Sequence, residues 1–231
     1  MYLLFHANTR YALDPSQQDL IIGLRLAQMW NVPRLFRYSF DRLRNQFRDK
    51  RVHPAIVLAV ARENGIPSLI RPAVEALAEP AMSLSSWCLD REVLLYMQVD
   101  EVGAIARMKE QLYLARVSIL DIPPVVHGGR CIATNSHQSC ELVWECYWNT
   151  AIGKKVRKLA DGRVCSQLWL IRSDLLKAPI PGMGESCRDM TVEKVGSYSC
   201  WFSDGHIIDG AVTHLMVTER IPDWQGNNND I

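Results

Sequence analysis

The sequence lacks a long apolar run, an excess of charge and any low-complexity stretch. No segment approaches the roughly 18 apolar residues of a membrane-spanning helix, and only about four follow Met1, too few for a signal peptide. Lys and Arg total 26 against 25 Asp and Glu, so the net charge of +1 gives no general attraction to nucleic acid. With 13 Gly, 11 Pro and 48% hydrophobic residues, the chain is neither collagen-like nor disordered. We therefore expect an intracellular globular protein.

The sequence also lacks the common catalytic motifs. G-x-G-x-x-G, the P-loop, H-E-x-x-H and G-x-S-x-G are all absent. Cys88 is a candidate nucleophile, but no base or oxyanion hole is specified near it. A cysteine enzyme would need one thiol of unusually low pKa. We predict that the chain is not an enzyme.

A repeated helical hairpin occupies the first half of the sequence. Two stretches with helical apolar spacing each precede a proline at a helix start, Pro33 and Pro67. Asn31 and Gly65 are suited to end the first helix of each copy in a left-handed conformation. The offset between copies is 34 residues. A tetratricopeptide repeat has this period but places its proline at the end of the unit, so we predict a different array of packed hairpins.

The predicted fold class is mainly all-α. Further helices are predicted over 90–98, 100–120, 137–159, 164–176 and 188–195. Strand-like content at 197–202 and 211–217 leaves a short β-hairpin in the tail open beside helix and disorder, and residues 225–231 are expected to be disordered. The predicted regions are an irregular 1–15, helical hairpins over 16–121, a Cys/Trp-rich helical region over 122–195 and a partly disordered tail over 196–231.

Cysteines are concentrated in the second half, where six of the seven lie between Cys131 and Cys200. Zinc requires four soft N or S ligands. The tightest cluster of such residues is His127, Cys131, His137, Cys140 and Cys146, and a site there is completed by the distal Cys187 or, as an alternative, Cys165. Their spacing matches no strong zinc signature. Three interpretations remain open: buried reduced cysteines, a structural zinc site and redox chemistry. The Cys140, Trp144 and Trp148 stripe is interpreted as core.

Two segments are basic. Residues 34–51 carry seven basic and two acidic residues, and residues 154–163 carry five and one. We interpret both as solvated faces of amphipathic helices, with phosphate binding as the alternative. Nucleic-acid binding is disfavoured because the phenylalanines of the first segment fall on its apolar face. The candidate interaction surface consists of Arg37, Arg42, Arg44, Arg71 and Trp87.

The helical units resemble a known family. The segments LRLAQMWNVPRLFRYSFDRL and HPAIVLAVARENGIPSLIRPAVEALA are similar to the BACK-like helical region that follows the BTB/POZ fold in BTB proteins of basidiomycete fungi. LSSWCLDREVLL, Cys131, the run Cys140-x3-Trp144-x3-Trp148 and the segment CRDM at 187–190 extend the resemblance over roughly residues 10–195.

The resemblance implies a non-catalytic protein-interaction scaffold that presents a groove between helical pairs. Two departures limit it. Ten residues before Tyr11 cannot contain a BTB fold, so the family's cullin contacts are not expected and the chain resembles a truncated copy. Gly184 stands where similar proteins place the first cysteine of a C-x2-C, so His127 or His137 would have to replace it in a metal site. A structural zinc-binding module and a weak nucleic-acid binder remain the alternatives.

Overall fold

Helices account for all the regular structure in a computed structural model of the chain, which describes residues 15–79, 93, 95–127, 137–160 and 168–218 and has no strand among them. The α-helices are α1 (Gln17–Met29), α2 (Pro33–Arg48), α3 (Pro54–Glu63), α4 (Pro67–Ala78), α5 (Val99–Ser118), α6 (Gln138–Tyr147), α7 (Gly153–Ala160), α8 (Leu168–Lys177), α9 (Glu185–Gly196) and α10 (Ser203–Val217). A π-helical turn (Trp148–Ile152) follows α6, and a 3-10 turn (Ser199–Phe202) precedes α10. The predicted all-α class is confirmed.

The chain forms two compact units. Of the described residues, the first unit contains 15–77, 93, 95–105 and 211–218, and the second contains 78–79, 106–127, 137–160 and 168–210. The boundaries between the two units fall within α5 and within α10, whereas the regions predicted from the sequence end at residues 121 and 195.

Matching helix ends confirm the predicted repeat in the first unit. Asn31 follows α1 with φ of 50°, and Gly65 follows α3 with φ of 61°. In each copy the next N–H reaches back to the carbonyl five residues earlier, at 2.8 Å from Val32 and 2.7 Å from Ile66. Both ends are therefore Schellman caps, in which a residue with positive φ lets the chain reverse and satisfy the last carbonyls of the helix.

Polar contacts join the two hairpins of the first unit. Arg25 on α1 makes a two-pronged ion pair with Glu63 on α3, at 2.6 and 2.9 Å. The Gln28 side chain donates to the Asn64 carbonyl at 2.8 Å. The first helix of one copy thus lies beside the first helix of the next, as expected of packed hairpins.

A buried arginine connects three helices of the same unit. The Arg62 side chain on α3 is only 2% exposed, and its Nη1 lies 2.8 Å from a carboxylate oxygen of Glu101, which is fully buried on α5. Arg62 Nε donates to the Leu215 carbonyl at 2.9 Å, and Nη2 donates to the Thr218 carbonyl at 2.7 Å. The guanidinium therefore satisfies carbonyls at the end of α10 while neutralising a buried carboxylate.

Three fully buried tryptophans organise the core of the second unit. Trp144 and Trp148 have ring centroids 5.3 Å apart, and Trp201 meets Trp148 edge-on at 6.3 Å. The indole N–H of Trp144 donates to the Pro123 carbonyl, and that of Trp201 donates to the Val195 carbonyl, both at 2.8 Å. Burial of the Cys/Trp stripe confirms its interpretation as core.

The described part of the tail, residues 196–218, contains no β-hairpin, which was one of the alternatives that the sequence left open. The strand-like residues form the 3-10 turn and α10, and Asp204, expected in a turn, lies in the first turn of that helix. Asp204 accepts two hydrogen bonds from Arg116 on α5, at 3.1 and 3.2 Å, and both side chains are largely buried. This pairing and the burial of Trp201 outweigh local β-propensity, which is a weak, context-dependent preference. Residues 225–231, expected to be disordered, lie outside the described residues.

Candidate metal centre

Three of the predicted ligands come from separate segments of the second unit. His127 ends the irregular stretch 122–127 after α5, His137 is the residue before α6, and Cys187 lies in the first turn of α9. The buried Thr191 hydroxyl accepts from the Val126 N–H at 2.9 Å and donates to its carbonyl at 3.2 Å. Thr191 therefore fastens the stretch that carries His127 to the helix that carries Cys187.

The ligand atoms of these three residues form one compact group. One atom from each of His127, His137 and Cys187 lies within 4.8 Å of the others. The Cys187 Sγ lies 3.6 Å from the His137 Nδ1, and the two imidazole centroids are 4.3 Å apart. Bonds of about 2.3 Å to sulfur and about 2.0 Å to nitrogen place adjacent ligand atoms of a tetrahedral zinc about 3.5 Å apart. The thiol–imidazole distance therefore matches that of two ligands of one zinc ion.

The group has a graded exposure to solvent. Cys187 is completely buried, His137 is half-buried, and His127 is exposed. A thiol inside the core with two imidazoles at its outer side leaves an approach from solvent through His127. A metal ion could enter from that side without any opening of the core.

A carboxylate orients the outer histidine. Glu141 on α6 lies 3.1 Å from the Nε2 of His127, an exposed contact. This contact leaves the Nδ1 of His127 as the nitrogen available to a metal. Carboxylate–histidine pairs of this kind accompany histidine ligands in metal sites, where they fix the ring orientation and raise ligand basicity. Glu141 was missed by the sequence analysis, although its position four residues after His137 on a helix was a usable signal.

The other predicted ligands lie elsewhere. Cys140 is fully buried in the tryptophan core, where its Sγ accepts a hydrogen bond from the Gly184 N–H at 3.4 Å. It shares a helix with Glu141 but is not in the three-residue group. Cys131 and Cys165 lie outside the described residues. Gly184 thus contributes its backbone N–H to a buried thiol.

The Cys200 thiol lacks the lowered pKa of a reactive nucleophile. Burial raises the pKa of the Cys200 thiol, despite two opposing backbone hydrogen bonds. A catalytic cysteine requires the opposite shift. Cys88 lies outside the described residues.

The predicted interaction residues divide into three groups. Arg37, Arg42 and Arg44 are exposed on α2. Arg71 is exposed on α4 and pairs with Glu75 one turn later, at 3.3 Å. Trp87 lies outside the described residues.

Comparisons with protein-family models, with curated proteins and with solved structures find no match to this chain. The resemblance to the BACK-like region of fungal BTB proteins therefore stays a prediction from the sequence. None of the described helices is both long enough and apolar enough to cross a membrane.

Proposed function

We propose that this chain is a non-catalytic helical protein whose second unit is stabilised by a structural zinc ion bound to His127, His137 and Cys187. The observation that carries the proposal is the convergence of three soft ligand atoms within 4.8 Å. Thiolate and imidazole favour Zn²⁺ over the oxygen-preferring Mg²⁺ and Ca²⁺.

The position of the group in the chain supports a structural role. Its ligands lie 10 and 50 residues apart in sequence, so a bound ion would crosslink the stretch before His127, the start of α6 and the start of α9. Metal binding of this kind contributes directly to folding, because an unfolded chain has no preformed site. The unit that it would stabilise contains the tryptophan core.

A tetrahedral site needs a fourth ligand. Cys131, which lies between the two histidines in the sequence, is the candidate for this position. A structural zinc site is closed by four protein ligands, whereas a catalytic one keeps a water in the fourth position. Cobalt substitution separates these cases, because the intensity of the thiolate-to-cobalt charge-transfer band counts cysteine ligands. Two thiolates in the full chain and one in Cys131→Ser would support the closed site.

The deciding measurement is zinc per mole of protein purified without added metal, together with the thermal midpoint before and after chelation. We expect about one equivalent in the wild type and a lowered midpoint after chelation. His127→Gln should lose the metal while leaving the core intact, because His127 is exposed. Cys187→Ser should also lose the metal. Cys146→Ser is the matched control: it changes an exposed thiol on α6, outside the three-residue group, and should keep the metal.

Two outcomes would contradict the proposal. The first is a folded wild-type protein that binds no zinc, even when zinc is added. The second is zinc that is retained by both His127→Gln and Cys187→Ser, since the ion would then lie elsewhere.

A further inference from the structure

The outward face of α2 carries a stripe of arginines, which are Arg34, Arg37, Arg44 and Arg48. Their spacing of three, seven and four residues keeps them on one side of a helix. All are exposed, and the buried residues Leu35, Ser39, Leu43 and Gln46 lie on the opposite side. Among the residues that the structure describes, no carboxylate lies within ion-pair distance of these four arginines.

An apolar groove runs beside this stripe. Phe36 and Phe40, which the sequence places on the apolar face of α2, are both half-buried, with parallel rings 6.4 Å apart. Together with Ala27 and Pro33 they line a cavity of about 530 Å³ between α1 and α2, whose polar lining includes Arg37 and Asp41. The surface therefore combines two aromatic rings with a polar edge, on which the four arginines outnumber the single carboxylate of Asp41.

The charge of this surface is unlike that of the whole chain. Residues 33–51 contain seven basic and two acidic residues, a net charge of +5, whereas the whole chain has +1. The Arg44 guanidinium lies 6.0 Å from the centroid of the Phe40 ring, which holds one cation of the stripe against the groove. A partner that buries apolar groups here would meet positive charge along one edge.

We infer that this groove and arginine stripe bind an acidic amphipathic helix of a partner protein. Apolar side chains of the partner at helical spacing would occupy the groove beside Phe36 and Phe40, as in other helix-in-groove complexes. Carboxylates along the edge of that helix would pair with Arg37 and Arg44, and arginine is the cation best suited to such two-pronged contacts. This surface belongs to the first unit and does not depend on the proposed zinc site.

The arrangement favours a protein partner over nucleic acid. Single-stranded nucleic acid needs open ring faces on which bases stack. Here Phe36 and Phe40 lie parallel to each other, and they line a groove rather than stand out from the surface. An acidic helix uses both the groove and the stripe, whereas a phosphate chain would use the stripe alone.

Fluorescence anisotropy with a labelled peptide tests the inference. The probe is an amphipathic peptide of about 18 residues with leucines along one helical face and glutamates beside them, roughly long enough to span α2. A peptide of the same composition in scrambled order is the control for charge alone. We expect the ordered peptide to bind the full chain at least about tenfold more tightly than the scrambled one.

Matched variants locate the site. Arg37→Glu/Arg44→Glu should weaken binding of the ordered peptide about tenfold or more, because both changes reverse exposed charges at the groove edge. Lys154→Glu/Lys158→Glu makes the same change in charge on the exposed face of α7 and should leave binding unaltered. Phe40→Ala keeps every charge and should also weaken binding, since it removes part of the groove floor.

Three results would overturn the inference. One is equal binding of the ordered and scrambled peptides, which would reduce the surface to a diffuse positive charge. Another is unchanged affinity in Arg37→Glu/Arg44→Glu, with the fold verified by circular dichroism. The third is tighter binding to a single-stranded oligonucleotide or to vesicles that contain phosphatidylserine than to the ordered peptide, which would assign the stripe to phosphate groups.

Discussion

Removal of the Arg62 guanidinium should strongly destabilise the first unit. Arg62→Met keeps most of the side-chain volume but removes the cation that lies 2.8 Å from the fully buried Glu101 carboxylate. The carbonyls of Leu215 and Thr218 lose their donor at the same time. Loss of one partner of a buried ion pair costs about 3–5 kcal/mol, a large part of the roughly 5–15 kcal/mol that holds a domain together.

The double variant isolates the pair itself. Arg62→Met/Glu101→Leu removes both charges, and an apolar replacement of a buried ion pair is often neutral or stabilising. The two carbonyls that Arg62 satisfied then lack their donor, and the Gln98 N–H lacks the Glu101 carboxylate that accepted from it. We therefore expect the double variant to lose about 1–3 kcal/mol, less than Arg62→Met alone. Arg25→Met is the matched control: its pair with Glu63 is as short, at 2.6 Å, but partly exposed, so its loss should cost less than about 1 kcal/mol.

Two measurements report the loss of stability in each variant. Urea unfolding followed by far-ultraviolet circular dichroism gives the total change in the free energy of unfolding. Because the chain has two units, amide hydrogen exchange in α3 is measured as well, since it reports the first unit alone. The expectation is refuted if Arg62→Met loses no more stability than Arg25→Met, or if the double variant loses at least as much stability as Arg62→Met alone.

Three further changes have predictable effects. Gly196→Ala should change the thermal midpoint by the equivalent of less than about 1 kcal/mol, since the new Cβ would lie 2.7 Å from only the terminal Cδ2 of Leu176, an exposed side chain that can move away; a larger loss would show that Leu176 is held in place. Gly210→Ala, in the exposed interior of α10 with open space around it, should gain about 0.5–1 kcal/mol, and a loss would contradict helical geometry there. Burial, and then the charge of Arg116, lowers the pKa of Lys109 from 10.5 to about 8. The unfolded chain therefore binds more protons between pH 8 and 10.5, so the free energy of unfolding should rise with pH over that interval, and Lys109→Met should remove this rise in urea titrations at several pH values.

The repeated hairpin could be predicted from the sequence because its signals are local. Pro33 and Pro67 each begin a helix, and the residues with positive φ, Asn31 and Gly65, end the preceding ones. Each of these residues acts on its own few neighbours, through a fixed φ or tolerance of a left-handed conformation. The burial of Trp144 and Trp148 followed equally from spacing along one helix.

The ligand set of the candidate metal centre could be predicted only in part. His127, His137 and Cys187 were recognised by residue type, but Cys140 has the same chemistry and lies in the core. Which thiol faces the histidines depends on how α9 packs against α6, with Cys187 fifty residues from His137. No local pattern contains that information, because the contact is made between segments far apart in the chain.

The sequence by itself determined the all-helical hairpins of the first unit and the residues that begin and end them. It also determined that cysteines and histidines, the candidate zinc ligands, are concentrated in the second half of the chain. Only the tertiary structure decided that residues 203–217 are a helix, that Phe36 and Phe40 border a groove, and that Arg62 is buried against Glu101. The physical reason is the range of the interactions. Caps and helical periodicity act within one or two turns, whereas the Arg116–Asp204 and Arg62–Glu101 pairs join residues 88 and 39 positions apart.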